Sequence, residues 1–493
     1  MRKKQTNWFK IALIFILVAF GLISFWGLGR DFLYDWDEGI YAQVARESGL
    51  SLVLKWNGQP WFEKPPLLFW LTALSFNLGG ETELAVRFWM PILGLICLVF
   101  TYLLIKIRSS SKVALLSLTF FFLAPLFLAR SRGLNTDILL LALSLASLYF
   151  LSLLEKKIED KQKLNFFDYC LPALFVGLAI MSKGILGLLP LAIWFGYLLL
   201  ANRKVLRGNI KVWLIIALLV FLVSAPWHIY MLVRFGDDFW QVYFNEHVFR
   251  RLSQPVEYHF GGKLYYIKFL IGEFSWWLLP MVVGGLISFL SLLRKKKTNR
   301  NIIFFFFWGA LVFLLFTFSQ TKLSWYILPL YPVLAFFWGY FWNKLLPGKK
   351  LFLFLVLCWG LWFLFSQKSK VEKTAAFPQP SPKVNLAITA ADICSSPLLF
   401  LVDQNERTAR DILPEELQLS SSFIYGGSPA VVFYYQDQVE FFYDPTKFHQ
   451  TFLERQAFSI PDTACAIIVE DDYHDLKLSG SIIKQADQWL LIK

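Results

Sequence analysis

FKIALIFILVAFGLISFWGL, residues 9–28, runs twenty positions with one charged residue, Lys10. About twenty apolar residues in a helix cross a hydrocarbon layer of roughly 30 Å. The run follows MRKK and has no small-residue cleavage site before the acids of YDWDEG (34–39), so it reads as an uncleaved anchor. The same pattern recurs. Apolar stretches at about 86–105, 113–129, 137–154, 167–182, 185–201, 212–231, 270–293, 302–319, 326–343 and 350–366 bring the expectation to about 11 spans, with 13 as the upper bound. The expected class is a polytopic α-helical membrane protein. Its 57% hydrophobic content and 51 Phe exceed what a water-soluble core of 493 residues requires.

The net charge of +13 suggests nucleic acid at first sight, but its distribution excludes that reading. From residue 371 onward there are 9 Lys and Arg against 17 Asp and Glu, so this stretch stands at −8 and the rest at +21. Much of the excess lies in short loops: KIRSSSK, EKKIEDKQK, NRKVLRGNIK, LRKKKTNR and NKLLPGKK. Such loops mark the cytoplasmic side. The expected topology has a cytoplasmic N-terminus and an opposite, extracytoplasmic C-terminal region. Residues 1–366 form the membrane domain, with long outer loops at 29–87 and 233–269. Residues 367–383 read as a polar, proline-bearing linker. Residues 384–493 read as a small α/β domain in which SPLLFLVD, AVVFYYQD, VEFFYD and CAIIVED are strands and DPTKFHQTFLERQ a helix. In that domain Cys394 and Cys465 are either bridged or free, and an oxidising compartment favours the bridge.

Three acids crowd the mouth of the first span. Asp35, with Glu38 three residues on, fits a capping box opening a helix through IYAQVARES, which leaves Asp37 without a structural task. In WFEKPPLLFW (61–70), Glu63 and Lys64 precede two prolines that stiffen the chain and aim the lysine. Elsewhere, the position of Asp137 after Thr136 fits a helix N-terminus, Lys183 fits an interfacial anchor, and Trp325 with Tyr326 fits an interfacial aromatic pair.

DEGIYAQVARE (37–47), NGQPWFEKPPLLFWLTAL (57–74) and ELAVRF (83–88) together resemble the first outer loop of the aminoarabinose transferase and protein O-mannosyltransferase superfamily. RSRGLNTDILL, MSKG, NEHVFRRL, FGGKLYYIKFLIGEFSWWLLP and FSQTKLSWYILPLYP resemble further segments in the same order, so the likeness covers about residues 10–345. The resemblance implies a GT-C fold and transfer of a sugar from a polyprenyl-phosphate donor to an extracytoplasmic acceptor. That acceptor is lipid A, another envelope glycan or, in the mannosyltransferase branch, a protein. It implies Asp37 as general base or acceptor-orienting acid and Asp137 as a second acid. Lys64 and Tyr326 would contact the donor phosphate, and Glu63 with His247 a divalent metal, zinc or magnesium; no nucleotide cofactor is implied. A bacterial inner membrane is the implied location. Where the aminoarabinose branch typically carries Arg three positions after its first-loop Asp, this chain has Ile40; Arg46, Arg250 and Arg251 are the candidates to replace it. A lipid or solute transporter and a membrane scaffold for the acidic tail are the rival classes. The ionisable residues cluster in outer loops rather than mid-span, which disfavours transport.

Overall fold

The computed structural model describes residues 2–254, 261–294, 299–345, 380–394, 397–412, 424–458 and 465–493. The expected span at 350–366 and most of the expected linker lie outside these residues.

Among the described residues, six helical stretches are long and apolar enough to cross a membrane: Glu83–Arg108, Thr136–Glu159, Phe166–Ala201, Ile210–Ser253, Tyr265–Leu293 and Arg300–Phe318. Phe9–Phe25 and Ser111–Phe121 are shorter apolar helices. Thr136–Glu159 is the most enclosed and packs closely against Trp89–Arg108 and Phe166–Lys183. The helices meet through large rings, including Phe305 stacked on Phe336 at 3.8 Å and Phe121 on Phe127 at 4.2 Å. One charged cluster is sealed among them: Arg108 pairs with Glu155 at 2.7 Å and lies over Phe304, Tyr197 and Trp194.

Several expected spans are broken where they approach one end of the bundle. The run at 113–129 is a helix to Phe121 followed by a separate turn, Pro125–Arg130. Proline at its start lacks the N–H that would continue the first helix. The runs at 167–182 and 185–201 are separate helices, Phe166–Lys183 and Leu189–Ala201, joined by a 3-10 turn that begins at Gly184 with φ +62°. A side chain at Gly187 would lie 2.1 Å from the backbone of Ile180, so this tight reversal requires glycine there. The run at 270–293 breaks at Ser275, and the one at 326–343 begins as a 3-10 turn, Ser324–Leu330. Conversely, the helix from Ile210 does not stop at 231. It runs on to a kink at Gly236 (φ 52°, ψ −120°), beyond which a short helical stretch to Phe239 passes into an eleven-residue π-helix, Trp240–Arg250. These breaks are where the chain stops spanning and starts building a site.

The loop at 29–87 holds the helices Asp37–Ser48 and Leu67–Gly79 and a two-stranded hairpin, β1 (Lys55–Trp56) with β2 (Gln59–Pro60). The C-terminal unit is a five-stranded sheet of β3 (Leu398–Leu401), β4 (Val439–Phe442), β5 (Ala466–Val469), β6 (Ile482–Ala486) and β7 (Trp489–Ile492). Its order is β4-β3-β5-β7-β6; β3 runs parallel to β4 and β5, and β7 antiparallel to β5 and β6. Cys394 and Cys465 are disulfide-bonded. The expected strands at LLFL, VEFF and AIIV form, as does the helix Pro445–Phe458. AVVFYYQD does not: Ala430–Tyr435 is a helix entered from Pro429, almost wholly buried. Burial on all sides erases the alternation that distinguishes strand from helix.

Candidate active site

A cavity of about 790 Å³ opens where the broken spans, the loop at 29–87 and the C-terminal unit meet. Its size falls in the range usual for small-molecule sites.

Two of the three acids in YDWDEG are committed elsewhere. Asp35 does not cap the following helix, whose N-cap is Trp36 with no side-chain cap bond. It accepts instead from the Ala430 N–H at 3.1 Å and the Ser428 hydroxyl at 3.2 Å, both in the C-terminal unit. Burial raises its pKa, outweighing those bonds and the charge of Lys383. Glu38 is 4% exposed and takes Arg87 Nε and Nη2 at 2.8 and 2.6 Å. It also accepts the N–H groups of Tyr34 and Leu134, each at 3.0 Å. The capping-box reading of Asp35 and Glu38 is therefore replaced by two anchors on opposite sides of the turn. Between them Trp36 adopts φ 68°, ψ −125°, a region that a bulky side chain occupies only at a cost of order 1–3 kcal/mol. Asp37 is the acid left over. Its carboxylate, 46% exposed, faces the cavity with Arg130 Nη2 at 3.9 Å.

Lys64, Glu63 and His247 gather on another part of the wall. The Lys64 ammonium donates to the Glu63 carbonyl at 3.2 Å and lies 3.5 Å from His247 Nδ1. Burial lowers its pKa to about 8; Arg251 and Lys183 push the same way, while Glu63 and Asp37 oppose. Glu63 Oε2 is 3.6 Å from His247 Nε2, and Glu63 Oε1 accepts the hydroxyl of Tyr425, a residue of the C-terminal unit. That hydroxyl in turn accepts from Trp61 Nε1 at 2.6 Å.

Asp137 is not the N-cap of its helix. Asn135 is, accepting the Ile138 N–H at 3.0 Å. Asp137 lies in the first turn with both oxygens occupied, Oδ1 by Lys183 and Oδ2 by Arg130 at 2.7 Å. Lys183 is thus a part-buried pairing partner of Asp137 rather than an interfacial anchor. The two cations lie over the rings of Tyr326 (5.3 Å) and Trp325 (4.7 Å), which brings that aromatic pair to the cavity as well. Lys322 holds the turn carrying them. Its ammonium caps the last helical carbonyls, Phe316 at 2.8 Å and Thr317 at 2.7 Å, and that of Ser319.

Residues 63–230 match the sequence model of the family described as "Dolichyl-phosphate-mannose-protein mannosyltransferase". The undecaprenyl phosphate-alpha-4-amino-4-deoxy-L-arabinose arabinosyl transferase of Serratia proteamaculans (strain 568) is 27% identical over 65% of this chain and 57% of its own length. A protein of Aquifex aeolicus (strain VF5) is 28% identical over 70% of this chain and 67% of its own length. The crystal structure of ArnT from Cupriavidus metallidurans bound to undecaprenyl phosphate superposes with a TM-score of 0.72, covering 99% of this chain and 98% of that one at 18% identity. The chain resembles the aminoarabinose transferases and protein mannosyltransferases in sequence over part of its length, and it shares the fold of ArnT. The fold is shared along its whole length, C-terminal unit included, whereas sequence similarity to the arabinosyl transferase of Serratia spans little more than half of that relative.

Of the residues marked by likeness to the superfamily, Asp37, Glu63, Lys64, Asp137, His247, Arg251 and Tyr326 all line the one cavity. Two expectations fail on placement. Arg250 is not on the cavity wall and faces Glu246 at 4.0 Å. Arg46 turns to the C-terminal unit, donating to the Phe433 carbonyl at 2.7 Å. Of the three candidates, Arg251 lines the cavity. Sequence reading missed Arg130 and Lys183 as site cations, although both sit in the motifs RSRGLNTD and MSKG. It also missed Glu406, Tyr425 and Tyr443 of the C-terminal unit; no local pattern marks them, since tertiary packing alone brings them to the loop.

Glu63 and His247 present one oxygen and one nitrogen toward each other, as a metal pair would. Among the described residues no group of three His, Cys, Asp or Glu forms, and zinc ordinarily takes three or four such ligands. The protein donors alone do not fit a complete zinc site.

Proposed function

We propose that this protein transfers a sugar from a polyprenyl-phosphate donor to a hydroxyl of an extracytoplasmic acceptor, lipid A or another envelope glycan. The supporting observation is one cavity that holds a half-exposed carboxylate, Asp37, loosely paired with Arg130, and a partly buried cation, Lys64. The acceptor hydroxyl oxygen attacks the anomeric carbon as the bond from that carbon to the phosphate oxygen breaks. Asp37 takes the hydroxyl proton, a contribution typically of 10²–10⁴-fold. Lys64, with Arg251 and Tyr326 nearby, meets the negative charge collecting on the departing phosphate, the term that usually dominates. A single displacement inverts the anomeric configuration.

Asp137 serves differently from Asp37. With both oxygens bound by Arg130 and Lys183, it is not a free base or nucleophile; it orients two cations toward the cavity. Glu63 and His247 would hold a divalent metal only with further ligands from the donor phosphate.

Extracytoplasmic chemistry suits a lipid-linked donor, since it carries an activated sugar across the membrane that nucleotide sugars do not cross. The basic short loops support a cytoplasmic N-terminus and an outer C-terminal unit in a bacterial inner membrane. A protein hydroxyl as acceptor is the second reading, favoured by the match of residues 63–230 to the protein mannosyltransferase family.

The test is sugar transfer from a panel of polyprenyl-phosphate sugars in membranes carrying wild type, Asp37→Asn or Lys64→Ala. Transfer by wild type alone, at equal protein levels, supports the reading. Transfer that survives both substitutions removes the assigned site, and no transfer by wild type from any donor removes the activity.

A further inference from the structure

Trp36 stands between Asp35 and Asp37 in a backbone conformation that glycine adopts freely and tryptophan rarely does. The surrounding bonds impose it: Asp35 is held by Ser428 and Ala430, Glu38 by Arg87, and the Trp36 carbonyl accepts the Ile40 N–H at 2.8 Å. Those bonds would hold a glycine equally well. The indole is not packed away in return for the strain. It is 49% exposed, lines the cavity, and its N–H has no partner among the described residues. One ring contact bounds it, with Tyr425 at 6.4 Å and 75°. A large flat ring is therefore presented to a cavity whose wall also carries Lys64, Arg130 and Asp137, immediately before the carboxylate at which the reaction is placed.

We propose that Trp36 is the platform on which the sugar ring of the donor stacks. The hydrogens on one face of a pyranose carry partial positive charge and meet the electron-rich face of an indole, and the indole N–H can donate to a sugar hydroxyl. This rests on the glycosyltransferase reading and adds the contact that recognises the sugar, as distinct from the cations that meet its phosphate. The adjacent Asp37 then lies beside the ring that Trp36 holds, so one turn of chain sets both the sugar plane and the acceptor proton. Strain kept at a cavity wall without a packing return is what a binding geometry produces.

The experiment compares wild type, Trp36→Gly and Trp36→Phe for donor KM, kcat, thermal stability and inhibition by undecaprenyl phosphate, which lacks the sugar. Trp36→Gly relieves the backbone, so its Tm is expected to equal or exceed that of wild type. Its donor KM is expected to rise about ten-fold or more, with inhibition by undecaprenyl phosphate unchanged; Trp36→Phe is expected to fall between. Wild-type KM in Trp36→Gly overturns the proposal. So does an equal weakening of inhibition, which would assign the ring to the lipid phosphate. If wild type transfers from no donor, the glycosyltransferase reading fails and the platform with it; wild-type transfer with an indifferent Trp36→Gly removes the platform alone.

Discussion

The hydroxyl of Tyr425 donates to Glu63 across 362 residues of sequence, joining the C-terminal unit to the wall of the cavity beside Lys64 and His247. Trp61 completes the relay, so the hydroxyl has one proton and one place to send it. Burial, with the Glu63 charge next, drives the Tyr425 pKa up, and the phenol stays protonated. The C-terminal unit is thus part of the site and not an appendage displayed by it.

Tyr425→Phe keeps the ring and its contact with Trp56 at 4.9 Å but frees Glu63 on one side. A hydrogen bond to a charged group contributes about 1.5–3 kcal/mol. Turnover is expected to fall about ten-fold or more, with the C-terminal unit still docked by limited proteolysis. In a Glu63→Ala background the same substitution is expected to add nothing; additive losses would mean that Tyr425 acts elsewhere.

Glu38 and Arg87 form a buried pair, 4% and 3% exposed, whose remaining donors reach the carbonyls of Leu28, Asp31 and Phe32. Removing one partner leaves an uncompensated buried charge, at about 3–5 kcal/mol. Arg87→Ala is expected to lower Tm by several degrees and to reduce folded protein in membranes, whereas Glu38→Gln, which keeps an acceptor, loses less. Unfolding followed by intrinsic fluorescence in detergent decides it; an unchanged midpoint for Arg87→Ala would refute the anchor.

Asp35 gives a pH signature. Its carboxyl titrates above the usual value, so the protonated form favours docking. That contribution is complete below the unfolded value of 3.8 and is lost as pH rises through the folded value. Asp35→Asn, neutral throughout, is expected to equal or exceed wild-type Tm near pH 7 and to lose that advantage towards about pH 4. Asp35→Ala leaves the Ala430 N–H without its acceptor, at about 1–3 kcal/mol, and is expected to be destabilising at both. An Asn advantage that grows on acidification would reverse the assigned sign.

Much of the frame was legible because membrane spans are written in one variable, apolar length, and because the loop motifs keep a fixed order. The helix that opens at Asp37 and the approach of Lys64 to the cavity could be read from a dozen residues each. What could not be read were partners far apart in the chain. Asp35 and Glu38 matched a local capping pattern, yet Ser428, Ala430 and Arg87 outcompeted the local backbone for their oxygens. The 3-10 and π segments carry no periodic signal, so the runs at 270–293 and 326–343 looked continuous, although the first breaks at Ser275 and the second is a 3-10 turn as far as Leu330. The helix at Ala430 misled for the complementary reason, being apolar on every side.

Asp137 and Asp37 show two different uses of a carboxylate on one cavity wall. A general base needs an oxygen free to accept a proton, whereas Asp137 spends both on Arg130 and Lys183. Asp137→Asn therefore is expected to act by loosening those cations, which then lose their aim over Trp325 and Tyr326. The donor KM should rise, with kcat close to wild type. Asp37→Asn should do the reverse: a kcat lower by about 10²–10⁴-fold and a donor KM close to wild type. Parallel measurement of kcat and donor KM for the two variants distinguishes the roles. A kcat collapse in Asp137→Asn with wild-type kcat in Asp37→Asn would exchange them.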